Sequence, residues 1–165
     1  RNINVNINGK NSNVLINISS ISLNENNYDV SIHHNNKNCT SNTNIHGLTI
    51  DNNSIYIKNN GYIPNGSEKS VLHQDNKIIV MNDNKSKIEP NLFIDEYDVE
   101  ASHGAYIGKF DEEELFYLNS RGLDENKCYE LLINGFLLNE FNITDDVKDD
   151  LKKIIKKYWR WKNEL

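Results

Sequence analysis

Ile3, Val5 and Ile7 alternate strictly with Asn at the start of the chain, the period of two that marks a half-buried strand. Short apolar runs recur at Val14-Leu15-Ile16, Ile21 to Leu23, Val30 to Ile32, Leu48 to Ile50, Ile55 to Ile57, Ile78 to Val80 and Leu92 to Ile94. Between them, Asn59-Asn60-Gly61 and Pro64-Asn65-Gly66 read as turns. Strands this short and evenly spaced predict a sandwich, a barrel or a β-solenoid, and periodicity does not choose among the three.

After about residue 110 the period changes to that of helices. Asp111, with Glu114 three residues on, makes a capping-box-like start, and Gly122 is a natural stop. Asp124 is placed to cap a second helix with an apolar stripe of Cys128, Leu131, Leu132, Phe136 and Leu138. Gly135 inside that helix costs about 1 kcal/mol relative to Ala, so a close helix crossing is expected there. A third helix is predicted from Asp145 to about Lys162, acidic first and basic afterwards, as the macrodipole favours. Its apolar face is Val147, Leu151, Ile154, Ile155, Tyr158 and Trp159.

Composition narrows the classes. Apolar residues are 37% of the chain, and 30 of its 165 residues are Asn, 24 of them before residue 100. Asn is tolerated best in turns and left-handed positions, and here it alternates with Ile, Val and Leu, which indicates order. The net charge of −6 argues against a general nucleic-acid binder, which needs a clustered basic surface. No apolar run reaches the roughly 18 residues that span a bilayer, and no membrane partner is expected. Two cysteines, Cys39 and Cys128, make no disulfide framework and no metal knuckle. The chain begins at Arg1, so a fragment or processed form is expected.

The segment Tyr97-Asp98-Val99-Glu100-Ala101-Ser102-His103-Gly104-Ala105-Tyr106-Ile107-Gly108-Lys109-Phe110-Asp111 runs into Glu114-Leu115-Phe116-Tyr117-Leu118-Asn119-Ser120-Arg121-Gly122-Leu123. This resembles the C-terminal signature of the SufB/SufD family, scaffold proteins of the SUF iron–sulfur cluster assembly machinery. There, Asp-Val leads into Cys-Ser-His-Gly-Ala-Thr-x-Gly, then an acidic turn and Leu-Phe-Tyr-x-x-x-Arg-Gly. The Ser-His-Gly-Ala form is similar to the SufD branch. Gln74-Asp75-Asn76-Lys77-Ile78-Ile79-Val80-Met81-Asn82 and Ile88-Glu89-Pro90-Asn91-Leu92-Phe93-Ile94 extend the likeness, which is clear over about residues 71–142.

The resemblance implies a mostly β fold: residues 1–108 as part of a right-handed parallel β-helix, and residues 109–165 as a small C-terminal helical domain. It implies a non-catalytic scaffold that pairs with a SufB-like subunit, or with a second copy when SufB is absent, and docks the SufC ATPase. Exposed members of the first helices, with Glu113, Phe116, Tyr117, Arg121 and Gly122 as candidates, are the expected ATPase contacts. His103 is the cluster-assembly candidate, a possible shared metal ligand. On the residues alone it is as readily a surface or core histidine that merely hydrogen-bonds. Imidazole suits the role because it is a borderline ligand for iron and titrates near neutral pH.

Ala101 departs from the pattern, since the family usually has Cys there and thiolate is the normal cluster ligand. Any thiolate must come from elsewhere, so no stable cluster is expected in the isolated chain, only a transient one in the complex. Cys128 reads as a small buried hydrophobe. Cys39 near His33 and His34 makes a metal pair conceivable, but adjacent strand residues point to opposite faces. Lys152, Lys153, Lys156, Lys157 and Arg160 read as a solvated helix face. The competing function is a β-helix adhesin or carbohydrate-active protein, against which stands the scarcity of Asp, Glu, Arg and Lys clustered on one strand ladder. Composition points to a plastid (apicoplast) stroma, with the bacterial cytoplasm as the alternative.

Overall fold

The protein is described from a computed structural model that covers residues 1–22, 24–50, 52–82 and 85–163, with side chains described as far as Lys157. It divides into two compact units, residues 1–108 and residues 109–165. The first holds eight strands: β1 (Asn2–Ile7), β2 (Asn13–Ser22), β3 (Asn26–His34), β4 (Thr40–Thr49), β5 (Ile55–Ile63), β6 (Val71–Val80), β7 (Lys87–Ile94) and β8 (Glu100–Gly108). Odd strands form one parallel sheet in the order β1-β3-β5-β7, and even strands form another in the order β2-β4-β6-β8. Each pair of consecutive strands is therefore one turn of a coil, and four turns stack into a parallel β-solenoid. The chain advances 27 residues per turn between Asn13 and Thr40, and 31 between Thr40 and Val71.

Alternation fills the coil. Val30, Ile32, Ile45, Ile55, Ile57 and Ile78 are buried in one cluster, with Ile3, Val5, Val14, Ile16, Ile18 and Ile88 packed against it. Cys39 joins this cluster, wholly buried, and its thiol donates to the Gly9 carbonyl at 3.2 Å. Outward-facing rings stack in register: His33 on Tyr62 at 4.2 Å between centroids, and Tyr62 on Phe93 at 4.6 Å. His33 and His34 do face opposite ways, with His34 fully buried.

The expected corner role of Asn holds at two places. Asn11 and Asn38 have φ of 59° and 53°, each two residues ahead of an even-numbered strand, where the coil turns through the left-handed region. Lys69 takes the same conformation before β6, with φ 59°. Elsewhere the turn reading fails, because Asn59, Asn60 and Gly61 lie inside β5. Side-chain bonds make this possible: Asn60 Nδ2 donates to Ser31 Oγ at 3.1 Å, and Asn91 Nδ2 donates to Asn60 Oδ1 at 3.0 Å. An amide that finds partners on both neighbouring strands no longer needs a turn to satisfy it.

The second unit contains α1 (Glu112–Ser120), α2 (Glu125–Leu138) and α3 (Asp145–Asn163). Asp111 caps α1 by accepting the Glu113 N–H at 2.8 Å, and Asp124 caps α2 by accepting that of Lys127 at 2.9 Å. Gly122 has φ 87° and ends the first helix region as expected. Three expectations need correction. α1 has no fully buried residue, and Leu115 and Leu118 are only half-buried. On α2 the buried residues are Cys128, Ile133, Leu137 and Leu138, while Leu131 is exposed. On α3 Ile155 is buried but Val147 and Ile154 are exposed; the side chains of Tyr158, Trp159 and Arg160, like Leu23 earlier in the chain, lie outside the described residues.

Gly135 also differs from expectation, since a Cβ built there meets no atom within 4 Å. No close crossing explains the glycine. Gly135→Ala should therefore stabilise the helical unit by about 1 kcal/mol, read as a rise in the urea midpoint; an unchanged or lower midpoint refutes it.

His34 gives the coil a pH dependence of known sign. Its Nε2 lies 2.7 Å from Ser41 Oγ, its Nδ1 has no partner, and burial pushes its pKa below the ordinary 6.5. Once the chain unfolds, the ring titrates at about 6.5. Below that pH the unfolded chain holds a proton that the folded one refuses, so stability falls with pH. The urea midpoint should drop between about pH 7.5 and about pH 5.5, and His34→Leu should flatten that drop. An equal drop in the variant assigns the effect to other groups.

Candidate functional site

The signature segment forms β8, the last strand of the even sheet, paired with β6 on one side and with no described strand on the other. His103 is therefore not in a loop, as its small neighbours suggested, but in the middle of an edge strand. Register fixes the faces. Ala101 lies beside Leu72, His103 beside Gln74, and Ala105 beside Asn76. Leu72, Gln74 and Asn76 are all buried within the coil, so His103 belongs to an inward-facing column. It is nonetheless exposed, because no further turn covers it. The column reads Thr43, Gln74, His103 across β4, β6 and β8.

Beneath His103 the coil interior changes character. Where earlier turns present Ile and Val, the third turn presents Asn59, Gln74 and Asn76, none more than 4% exposed. Asn59 Nδ2 donates to Asn76 Oδ1 at 2.9 Å, and Asn76 Nδ2 donates to the Gly104 carbonyl at 3.1 Å. Gln74 Nε2 reaches the carbonyls of Asn59 at 3.3 Å and Asn91 at 3.5 Å. Thr43 Oγ1, Asn59 Oδ1 and Gln74 Oε1 have no hydrogen-bond partner; a buried orphan acceptor of this kind costs about 1–3 kcal/mol. Sequence reasoning missed this layer because it took Asn59 for a turn residue. The findable signal was the coil repeat, which places Gln74 and Asn76 one turn below His103 and Ala105.

On the outward side, His73 Nδ1 lies 2.7 Å from Ser102 Oγ, and His73 Nε2 lies 3.7 Å from Glu100 Oε1. The order is that of a hydrolytic triad, but all three groups sit exposed on an open sheet face. No cavity shields them, so this arrangement lacks the water exclusion that nucleophilic catalysis wants.

No thiol lies beside His103. Ala101 is half-buried against the Leu72 column, Cys39 is sealed in the coil, and Cys128 is fully buried in the helical unit, its thiol directed to Asn119 Oδ1 at 3.5 Å. Among the described residues no group of three or more His, Cys, Asp and Glu side chains could hold a metal ion. His103 has no protein partner among the described residues and can present one nitrogen.

In the helical unit Phe116 is 76% exposed and Tyr117 56%. Arg121 lies over the Tyr117 ring at 5.1 Å and donates to its hydroxyl at 3.2 Å. Glu113 is exposed on the same helix, and Gly122 follows at its end. Lys152 and Lys153 pair with Asp149 and Asp150 at 2.9 and 2.8 Å, and Lys156 reaches Glu130 at 3.4 Å, which supports the solvated-face reading. No helix among the described residues is long and apolar enough to cross a membrane.

Comparison with known proteins fits this geometry. The family described as "SUF system FeS cluster assembly, SufBD core domain" matches residues 1–136. The iron–sulfur cluster assembly protein SufD of Bacillus subtilis is 34% identical over 116 residues, which is 68% of this chain and 26% of that protein. An iron–sulfur cluster assembly SufBD family protein of Pyrococcus horikoshii is 39% identical over 101 residues, 58% of this chain and 22% of the relative. For SufD of Escherichia coli the figures are 36% over 62 residues, 38% and 14%. The chain thus spans about a quarter or less of the length of these relatives. A parallel solenoid ending in Ser-His-Gly-Ala on an edge strand, followed by capped helices, carries the same signature as these proteins, and the chain belongs to the SufB/SufD family of SUF iron–sulfur cluster assembly proteins, on its SufD-like side.

Proposed function

We propose that this chain is part of a non-catalytic scaffold subunit on which an iron–sulfur cluster is built at a shared interface. The observation that carries this reading is the place of His103: inward-facing by register, yet uncovered, on a strand with an open edge. A strand added to that edge would enclose the imidazole while leaving its nitrogens free of protein partners. Unpaired edges are also what a partner strand needs. A SufB-like subunit is the proposed partner, with a second copy taking its place when SufB is absent.

The cluster is the cargo of this machinery. A single imidazole cannot retain a core that normally takes four protein ligands, so the thiolates come from the partner and the cluster forms only in the complex. Reconstitution of this chain alone should yield no stoichiometric cluster, and a stable one would overturn the shared-site reading.

Docking of the SufC-like ATPase is proposed on α1 and the start of α2, where Phe116 and Tyr117 stand exposed as aromatic anchors. Co-purification tests the assembly: SufB-like and SufC-like subunits should be retained by the tagged full chain. The pair of changes Glu113→Lys and Arg121→Glu should weaken ATPase retention at least about tenfold and leave the unfolding midpoint unchanged. Undiminished retention moves the docking site elsewhere. The adhesin or carbohydrate-active alternative finds little support on the outer face, where the His33, Tyr62 and Phe93 rings stack on one another. The relatives come from bacteria and an archaeon, which have no plastid, and this favours a cytoplasmic place of action over the plastid stroma.

A further inference from the structure

The amide layer under His103 is an anomaly of this coil. Elsewhere the interior that alternation creates is filled mostly by Ile, Val, Leu or small side chains, with the buried His34 as an exception. Three amides here are buried together, and Asn59 Oδ1 and Gln74 Oε1, with Thr43 Oγ1 beside them, go without partners. Leaving buried acceptors unpaired works against stability, and groups kept against stability concentrate where function needs them. The layer has an identifiable output. Its donors are directed forward into the last turn: Asn76 to the Gly104 carbonyl, one residue past His103, and Gln74 to the Asn91 carbonyl on β7. β8 is paired on one side only, so its backbone has half the restraint of an inner strand.

We propose that Asn76 is the positioning residue for His103. The relay runs from Asn59 Nδ2 to Asn76 Oδ1 and from Asn76 Nδ2 to the Gly104 carbonyl. Because Asn59 occupies the oxygen of the Asn76 amide, the amide cannot flip, and its N–H is committed to the Gly104 carbonyl. That tether fixes the strand at the residue next to His103, and with it the direction in which the imidazole leaves the coil. A ligand held in place before its metal arrives needs such support, and losing it typically lowers activity about ten- to a hundredfold. This inference rests on the reading of His103 as a cluster ligand, and goes beyond it in assigning what aims the ring.

The test uses the full chain in its complex with the partner subunits. Asn76→Leu combined with Asn59→Val removes the relay together with the orphan oxygen of Asn59. Three quantities are read: the unfolding midpoint, the initial rate of cluster formation, and the rate of His103 modification by diethyl pyrocarbonate across pH, followed by peptide mass spectrometry. The expected result is a midpoint equal to or above that of the parent, cluster formation slowed about tenfold or more, and an altered modification profile at His103. Asn76→Gln in the parent background should recover part of the rate, since it keeps both donor and acceptor. Adding His103→Ala to the double variant should slow the reaction no further than His103→Ala alone.

An unchanged rate of cluster formation and an unchanged His103 profile overturn the proposal. So does a midpoint that falls in step with the rate while the His103 profile stays as it was, because that is a structural role only. If His103→Ala leaves the complex fully active while the double variant still alters the His103 profile, the ligand reading fails and the positioning survives. The two failures are thereby distinguished.

Discussion

His103→Ala should slow cluster formation by the complex at least about tenfold while leaving the folded chain intact. Both halves of that expectation come from the same geometry. The side chain is exposed and has no hydrogen-bond partner among the described residues, so its truncation belongs with surface changes that move stability by no more than about 0.5 kcal/mol. Its register position beside Gln74 nonetheless sends it along the inward column, where a covering strand would place the cluster. Ala101 cannot compensate, since it has no donor atom, and the two cysteines are buried away from solvent. Retention of the SufB-like and SufC-like subunits should be unaffected, which separates a chemical defect from an assembly defect. A His103→Ala complex that builds clusters at the parent rate would reduce the residue to a surface histidine.

The parts of this fold that the sequence made legible are those set by local alternation and by capping. Ile3, Val5 and Ile7 declared their strand, and Asp111 and Asp124 declared their helices through side chains that reach the N–H groups of Glu113 and Lys127. The choice of a solenoid over a sandwich came from the resemblance alone, because parallel pairing at a distance of about one coil turn leaves no local mark. What escaped depended on neighbours from the adjacent turn. Asn59-Asn60-Gly61 has the composition of a turn, yet the ladder of Ser31, Asn60 and Asn91 holds it in β5. Ala-Ser-His-Gly-Ala has the composition of a loop, yet β6 pairs with it residue by residue. The amide layer was invisible for the same reason: Asn59 and Asn76 are 17 residues apart, and only the coil repeat brings them together. Leu131 and Gly135 were misread because a helical stripe says which face is apolar but not how much of it a neighbour covers.

Ile57→Ala should be among the most destabilising single changes in the coil, at about 2–5 kcal/mol. Ile57 is completely buried on β5 and stands in register between Tyr28 of β3 and Ile88 of β7, so truncation opens a void with packed side chains above and below. The coil limits the repair: its turns are held by parallel ladders on both sheets, and the walls cannot close on the gap without breaking hydrogen bonds in either direction. Solenoid turns also depend on their neighbours for stability, so a void in the third turn weakens its contact with the second and the fourth, including the turn that carries His103. Phe116→Ala provides the contrast. Its ring is 76% exposed on α1, and its loss should shift the unfolding midpoint little while weakening retention of the ATPase. Urea titrations of the two variants in the full chain decide the matter. Equal and small losses would mean that the coil interior relaxes around Ile57, and equal and large losses would mean that Phe116 is packed in the folded protein and is not a free docking anchor.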